Sequence, residues 1–321
     1  MYKRLSLICT LFILSFGVLN AQQDSFQQEF AIANENDVYV LKNTDRYYSN
    51  GILLHYRFIP KADSWLGRRK RQENKRIIDI ELSQKFYTPV NLTLTDFNDY
   101  DRPYAGWLYA GFTVLDFPKR NQRLEYGLEL GITGRPSGAE AFQTWYHATV
   151  GFPRPRGWGF QIAQELAANL KANYQYQFSL VDGVLDLVTT SSAMVGSAFT
   201  NFVQRADLRV GRLQALNESG FANALIGQRN SDWRNHFYFF TGYGQQWTLH
   251  DITIEGSLWN DRSIHTEELI SNVRHLRVGW AASSANTTFR MTYHALSEEV
   301  EGGRNHDYVG FELLLRFGPN N

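Results

Sequence analysis

Residues 123–132 read Arg123-Leu124-Glu125-Tyr126-Gly127-Leu128-Glu129-Leu130-Gly131-Ile132. Leu124, Tyr126, Leu128, Leu130 and Ile132 take every second place, and Arg123, Glu125, Gly127, Glu129 and Gly131 stand between them. Successive side chains of a strand point to opposite faces, so this stretch is a strand with one apolar face and one charged or bare face. The same period returns along the chain. Ile78, Ile80, Leu82 and Phe86 alternate with Asp79, Glu81, Ser83 and Lys85. Ala172, Tyr174, Tyr176, Phe178 and Leu180 alternate with Asn173, Gln175, Gln177 and Ser179. Val309, Phe311, Leu313, Leu315 and Phe317 alternate with Gly310, Glu312 and Arg316. Weaker versions run through 26–33, 48–59, 205–213, 275–282 and 286–295.

A soluble β-sandwich alternates as well, and it stands as the competing reading. Three features favour a membrane barrel. The apolar faces carry Tyr, Phe and Trp near segment ends, the opposite faces carry full charges and Gly, and the segments are long enough for a tilted crossing. A closed barrel also pairs every backbone group in lipid and has no sheet edge. The expected fold is therefore all-β: a transmembrane antiparallel β-barrel of about 12 strands. Residues 214–236 and 255–270 read as long loops, and 185–203 as one strand, two, or a hairpin.

The N-terminus carries a different signal. Lys3 and Arg4 precede an apolar run from Leu5 to Leu19, and Leu19-Asn20-Ala21 places a small residue before Gln22. That is the pattern of a cleaved secretory signal peptide over residues 1–21, leaving 22–321 as the barrel domain. The single cysteine, Cys9, falls inside it, so disulfides, Cys-zinc sites and thiol nucleophiles are excluded from the exported chain. No later segment has the roughly twenty consecutive apolar residues of a membrane helix. With 32 basic and 32 acidic residues the net charge is zero, and the densest basic run, Arg68 to Arg76, is interrupted by Gln72, Glu73 and Asn74. That balance argues against a nucleic-acid partner held by phosphate neutralisation, and none is expected.

One stretch abandons the two-residue period. Residues 139–150 and 158–170 suit short helices, separated by the turn Gly151-Phe152-Pro153-Arg154-Pro155-Arg156-Gly157. A helical loop at one rim, on the extracellular side, gives the barrel a place to build a site.

None of the stronger catalytic motifs is present: no G-x-S-x-G, no H-E-x-x-H and no phosphate-binding Gly-rich loop. Spacing singles out three candidates. Gln143 and His147 stand one helical turn apart, which allows the amide to orient the imidazole, or a water, for general-base work. Asn36-Asp37, leaving the first strand, offers oxygen atoms to a hard cation such as Ca²⁺. Parity places Asp37 with the inward Ala31 and Ala33, and Asn36 with them only if the strand has ended or bulges there. Ser49, by parity against Ile52, Leu54, Tyr56 and Phe58, belongs to the lumen side with His55 and Arg57, where its hydroxyl is a donor or a nucleophile. Each has an ordinary structural reading beside it: a loop histidine, an Asx turn, a strand-start serine. Asp96, Asn98, Asp99 and Asp101 lack the Gly and terminal Glu of an EF-hand loop and read as a solvated turn.

These residues lie in blocks that together resemble the lipid A 3′-O-deacylase family of Gram-negative outer-membrane barrels. The blocks are Glu35-Asn36-Asp37, Thr44 to Gly51 (TDRYYSNG), Asp101 to Tyr109 (DRPYAGWLY), and Gln143-Thr144-Trp145-Tyr146-His147 leading to Gly157-Trp158. Beyond about residue 170 only the strand pattern supports the match. The resemblance implies a Ca²⁺-requiring hydrolase of the ester at the 3′ position of lipid A, embedded as a monomer in the outer membrane and facing outer-leaflet lipopolysaccharide. It implies His147 as the base activating water with Gln143 beside it, Asn36 and Asp37 placing the cation, and Ser49 at the family's small hydroxyl position. The site is expected beside the barrel wall under the loop helix. Two departures stand out. Tyr87 to Leu94 has no Lys or Arg where characterised members carry a basic residue, and Phe152-Pro153-Arg154 replaces an acidic one. Arg154, Arg156 and Lys85 are the cations left to meet lipid phosphates. A non-catalytic barrel, either channel or structural, and an outer-membrane phospholipase using Ser49 remain as alternatives.

Overall fold

The computed structural model describes residues 25–40, 46–67, 75–227 and 235–318. The expected signal peptide with Cys9, Thr44, Asp45 and most of the Arg68–Arg76 run lie outside them. Twelve strands form one closed antiparallel barrel: β1 (Gln28–Asn36), β2 (Tyr47–Phe58), β3 (Lys75–Thr88), β4 (Ala105–Phe117), β5 (Gln122–Thr133), β6 (Leu166–Val181), β7 (Leu185–Gly196), β8 (Phe199–Gly211), β9 (His236–Asp251), β10 (Asn272–Ser283), β11 (Thr287–Leu296) and β12 (His306–Phe317). Each strand pairs with its sequence neighbours, and β1 closes the cylinder against β12, with Gln28 opposite Phe317 and Asn36 opposite Val309. The stretch 185–203 is a hairpin, β7 turning into β8 at Ser197-Ala198.

The alternation has the physical meaning read from the sequence. Phe30, Tyr56, Leu82, Leu128 and Leu130 are exposed on the outer wall. Their neighbours point inward and pair their charges there. Arg57 donates to Glu29 at 2.9 Å and to Asp79 at 2.9 Å, Arg316 reaches Glu29 at 3.1 Å, and Lys171 sits 3.1 Å from Glu129. A charge removed from water is costly unless a partner compensates it, so these inward groups form a linked network. Gly131 serves the same interior: a Cβ there would lie 2.5 Å from the Trp107 ring, which lies on the inner face.

β4 and β9 hide from a period-two reading because their inner faces are also apolar. Leu115 and Phe117 of β4 and Tyr238 and Phe240 of β9 pack on the β8–β9 loop, which folds back into the barrel. Leu216, Phe221, Ala222, Ala224 and Ile226 of that loop are buried among them. Burying a side chain such as Phe221 contributes about 1.5–3 kcal/mol. Cations hold the loop from the wall: Arg209 lies 4.6 Å from the centre of the Phe221 ring, and Lys75 donates to the Asn217 carbonyl at 3.0 Å. The lumen is thus stoppered at the end where β1 begins and β12 finishes, beneath a polar cavity of about 270 Å³.

The irregular segment after β5 forms helix α1 (Ala139–Val150), as its sequence predicts. The second expected helix, 158–170, is absent. Trp158–Phe160 makes one 3-10 turn, and Leu166 onward enters β6, where Asn169 points inward to donate to Glu129 at 3.2 Å. The sheet register of β5 with β6 overrides a weak helical preference. Among the described residues no helix is long and apolar enough to cross a membrane.

Candidate active site on the outer wall

α1 lies against the outside of the barrel. Gly106, on the outer face of β4, permits this, since a Cβ there would come within 2.1 Å of Ser137 Oγ and 2.6 Å of Ala139 Cβ. Gln84, outward on β3, donates to the Ser137 carbonyl at 2.6 Å and pins the approach to the helix. Phe86, Tyr100, Tyr104, Ala139 and Trp158 form an apolar cluster beneath it. The Tyr100 phenol is pushed up by burial and by the Asp96 carboxylate, so it stays protonated and donates to the Leu94 carbonyl at 3.2 Å.

The helix ends at Gly151, whose left-handed backbone (φ 84°) lets the chain turn and donate to the His147 carbonyl at 2.9 Å. That turn brings the Pro153 carbonyl 2.6 Å from His147 Nδ1. A carbonyl only accepts, so Nδ1 carries the hydrogen and, in the neutral ring, Nε2 keeps the lone pair. Gln143, one turn earlier, accepts from Trp158 Nε1 at 2.8 Å, which fixes its amide and directs Nε2 to Ser49 Oγ at 3.4 Å. All three side chains are between 1 and 3% exposed.

Ser49 reaches the helix because β2 bulges. The pairing with β3 shifts between Tyr48 and Asn50, so one extra residue is inserted and the alternation slips by one. Tyr48 keeps the inward direction and donates to Glu35, whereas Ser49 and Asn50 both line the pocket on the outer face. The lumen position expected from parity is therefore corrected: parity counted from Ile52 fails where the bulge intervenes. Asn36 follows parity instead. β1 holds register through Asn36, opposite Asn50, so Asn36 faces outward with Asn34 and belongs to the site for that reason.

Asn34, Asn36, Ser49, Asn50, Phe86, Phe142, Gln143, Tyr146 and His147 surround a pocket of about 70 Å³. A space of that size admits water-sized groups. Asp37 follows Asn36 into a 3-10 turn, where its Oδ2 accepts the Arg46 backbone N–H at 2.6 Å. Arg154 and Arg156 are exposed on the turn that supplies the Pro153 carbonyl. Lys85 is not part of this group. It points into the barrel, over the Tyr109 ring at 5.7 Å, with the wall between it and the pocket. Asp101, read as solvated, instead accepts Tyr47 OH at 2.7 Å and Val90 N–H at 2.9 Å.

Asn34, Asn50 and the Pro153 carbonyl were not singled out by sequence. The first had a signal: Phe30, Ile32, Asn34 and Asn36 share one face of β1, and amides on a lipid-side face are costly unless used. For Ca²⁺, which takes six to eight oxygens, the fit is incomplete. Among the described residues no three His, Cys, Asp or Glu gather as ligands. Asn36 Oδ1 already accepts Val38 N–H at 2.8 Å. A tightly held ion ligated by these residues alone does not fit.

A closed twelve-stranded wall with buried polar groups on its lipid side, under a helix, defines an outer-membrane β-barrel with a membrane-facing site. The family model described as Outer membrane protein LpxR matches residues 5–317, and the chain belongs to that family, the lipid A deacylases its sequence blocks resemble. The structure of LpxR from Salmonella typhimurium superposes with a TM-score of 0.72 at 18% identity, covering 90% of this chain and 100% of that one. The β domain of the Bordetella autotransporter BrkA shares the barrel at a TM-score of 0.50 and 12% identity, over 92% and 99% of the two chains. No curated protein matches the chain in sequence.

Proposed function

We propose that this chain hydrolyses the acyl ester at the 3′ position of lipid A, with His147 as general base. The observation that carries the reading is the convergence of His147, Gln143 and Ser49 on the outer wall, where an acyl ester of outer-leaflet lipid can enter sideways. His147 Nε2 takes a proton from water, and the hydroxide oxygen bonds to the ester carbonyl carbon. The tetrahedral intermediate then expels the sugar oxygen, which recovers the proton from the imidazolium, leaving a fatty acid and a free hydroxyl. Positioned general-base catalysis contributes about 10²–10⁴-fold. The Pro153 carbonyl stabilises the imidazolium by holding Nδ1–H.

Ser49 is a positioning donor in this scheme. A serine nucleophile needs a base to take its proton, and Gln143 brings a donor, its amide N–H, to Ser49 Oγ. The stopper in the lumen weighs against a channel. Arg154 and Arg156, exposed on the turn after α1, would meet the lipid phosphates. The family implies Ca²⁺; Asp37 and Asn36 are the residues of this chain that would help to hold it, and it would supply polarisation of the ester carbonyl.

Mass spectrometry of lipid A from cells expressing the wild type or His147→Ala tests the reading. Loss of one acyl chain with the wild type only is expected. No loss with the wild type, or equal loss with both, overturns it.

A further inference from the structure

The three asparagines of the pocket form a chain of hydrogen bonds whose direction can be followed. Asn34 Nδ2 donates to the Gly51 carbonyl at 2.9 Å, so its nitrogen faces β2. Asn36 Oδ1 accepts the Val38 backbone N–H at 2.8 Å, so its oxygen is fixed on the opposite side from its nitrogen. Each amide therefore presents nitrogen to Asn50, at 2.9 Å in both cases, and the atom receiving both must be Asn50 Oδ1. That leaves Asn50 Nδ2 as a donor. It is buried and has no hydrogen-bond partner among the described residues, on a residue 4% exposed that lines the pocket beside Ser49, Gln143 and His147.

An amide N–H withdrawn from water without an acceptor costs about 1–3 kcal/mol. Two backbone-anchored amides nevertheless lock Asn50 so that this donor cannot turn away. A donor held immobile in a water-poor site is what a developing negative oxygen requires. We infer that Asn50 Nδ2 is a catalytic residue of the ester hydrolysis, donating to the oxyanion of the tetrahedral intermediate. The inference rests on the deacylase reading. In the step concerned, the water oxygen bonds to the carbonyl carbon, the C=O π pair moves to the carbonyl oxygen, and Asn50 Nδ2–H donates to that oxygen until the leaving-group bond breaks. The carbonyl oxygen in the ground state is a weaker acceptor, so the interaction strengthens along the reaction and acts on kcat more than on KM.

The test is Asn50→Asp in the full-length, detergent-purified protein. Aspartate is isosteric and keeps the oxygen that accepts from Asn34 and Asn36, but replaces the donor with an acceptor. The expected result on lipid A is a fall in kcat of about 10²–10³-fold with KM changed by less than about threefold. Heat-modifiable mobility on SDS gels, the signature of a closed barrel, should match the wild type. Affinity for a phosphonate analogue of the ester, which carries the oxyanion charge, should fall with kcat, while affinity for the uncleavable ether analogue should not. If Asn50→Asp does not fold, Asn50→Ser, which retains a short donor, is expected to keep more activity than Asn50→Ala. A wild type active on lipid A with Asn50→Asp at near-normal kcat, or with phosphonate and ether affinities falling together, overturns the Asn50 assignment and leaves the deacylase reading standing. An inactive wild type overturns both.

Discussion

Tyr47 donates its hydroxyl hydrogen to Asp101 Oδ2 at 2.7 Å while its backbone holds φ at 57°. A left-handed tyrosine is strained by about 1–3 kcal/mol, and the surrounding structure must over-determine it. The Asp101 carboxylate does so, bridging Tyr47 to Val90 N–H at the start of the β3–β4 loop. Two residues later the β2 bulge turns Ser49 to the outer wall. Tyr47→Phe, which removes the hydroxyl and with it the bond to Asp101, is expected to lower deacylation about 2- to 10-fold, the equivalent of about 0.5–1.5 kcal/mol, with the barrel intact. Steady-state kinetics beside SDS-gel mobility measures it; unchanged kcat would separate the clamp from the site.

His147→Ala should reduce turnover by about 10²–10⁴-fold, whereas Ser49→Ala should reduce it only in part. Purified protein on lipid A micelles gives both numbers. Complete loss with Ser49→Ala would favour a serine nucleophile instead.

Gly106→Val should separate the helix from the wall. Its side chain would begin where Ser137 Oγ and Ala139 Cβ now sit, at 2.1 and 2.6 Å. Barrel formation should persist, because the β4 ladder is unaffected, but activity should drop and protease sensitivity should appear near 139–157. Limited proteolysis with mass mapping reads this directly.

Ca²⁺ binding to the protein alone should be weak, with a dissociation constant of about 10⁻⁴ M or higher, because Asp37 provides the carboxylate and the neighbouring amide oxygen is already engaged. Calorimetric titration without lipid, repeated with lipid A present, tests this. A submicromolar site in the absence of lipid would contradict it.

Planar bilayers should record no stable conductance for the wild type. Deleting residues 214–226, which removes Leu216, Phe221 and the segment that Lys75 and Arg290 hold, should open one.

The barrel was legible where one face meets lipid and the other meets charge, as in 123–132 and 309–317. β4 and β9 were illegible because the β8–β9 loop makes their inner faces apolar too, a long-range fact that no local window contains. The site was legible in its residue types and obscured in its direction. Helical spacing puts Gln143 and His147 on one face, as α1 does, while their roles come from the family resemblance. Ser49 and Asn36 were assigned by counting, and one inserted residue at Tyr48-Asn50 inverted the result for the first, while an uninterrupted β1 settled the second. Lys85 was a matter of sidedness: the sequence supplies a cation at the right height, and parity with Glu81 and Ser83 sends it inward.

The stopper also determines what the reaction's kinetics can depend on. On the deacylase reading, with the interior blocked and the pocket on the outer face of the wall, substrate would arrive by lateral diffusion and the fatty acid would depart the same way. The relevant concentration is then molecules per unit area of leaflet. Diluting the target lipid with inert lipid, at constant total amount, should slow the enzyme as dilution in water slows a soluble one.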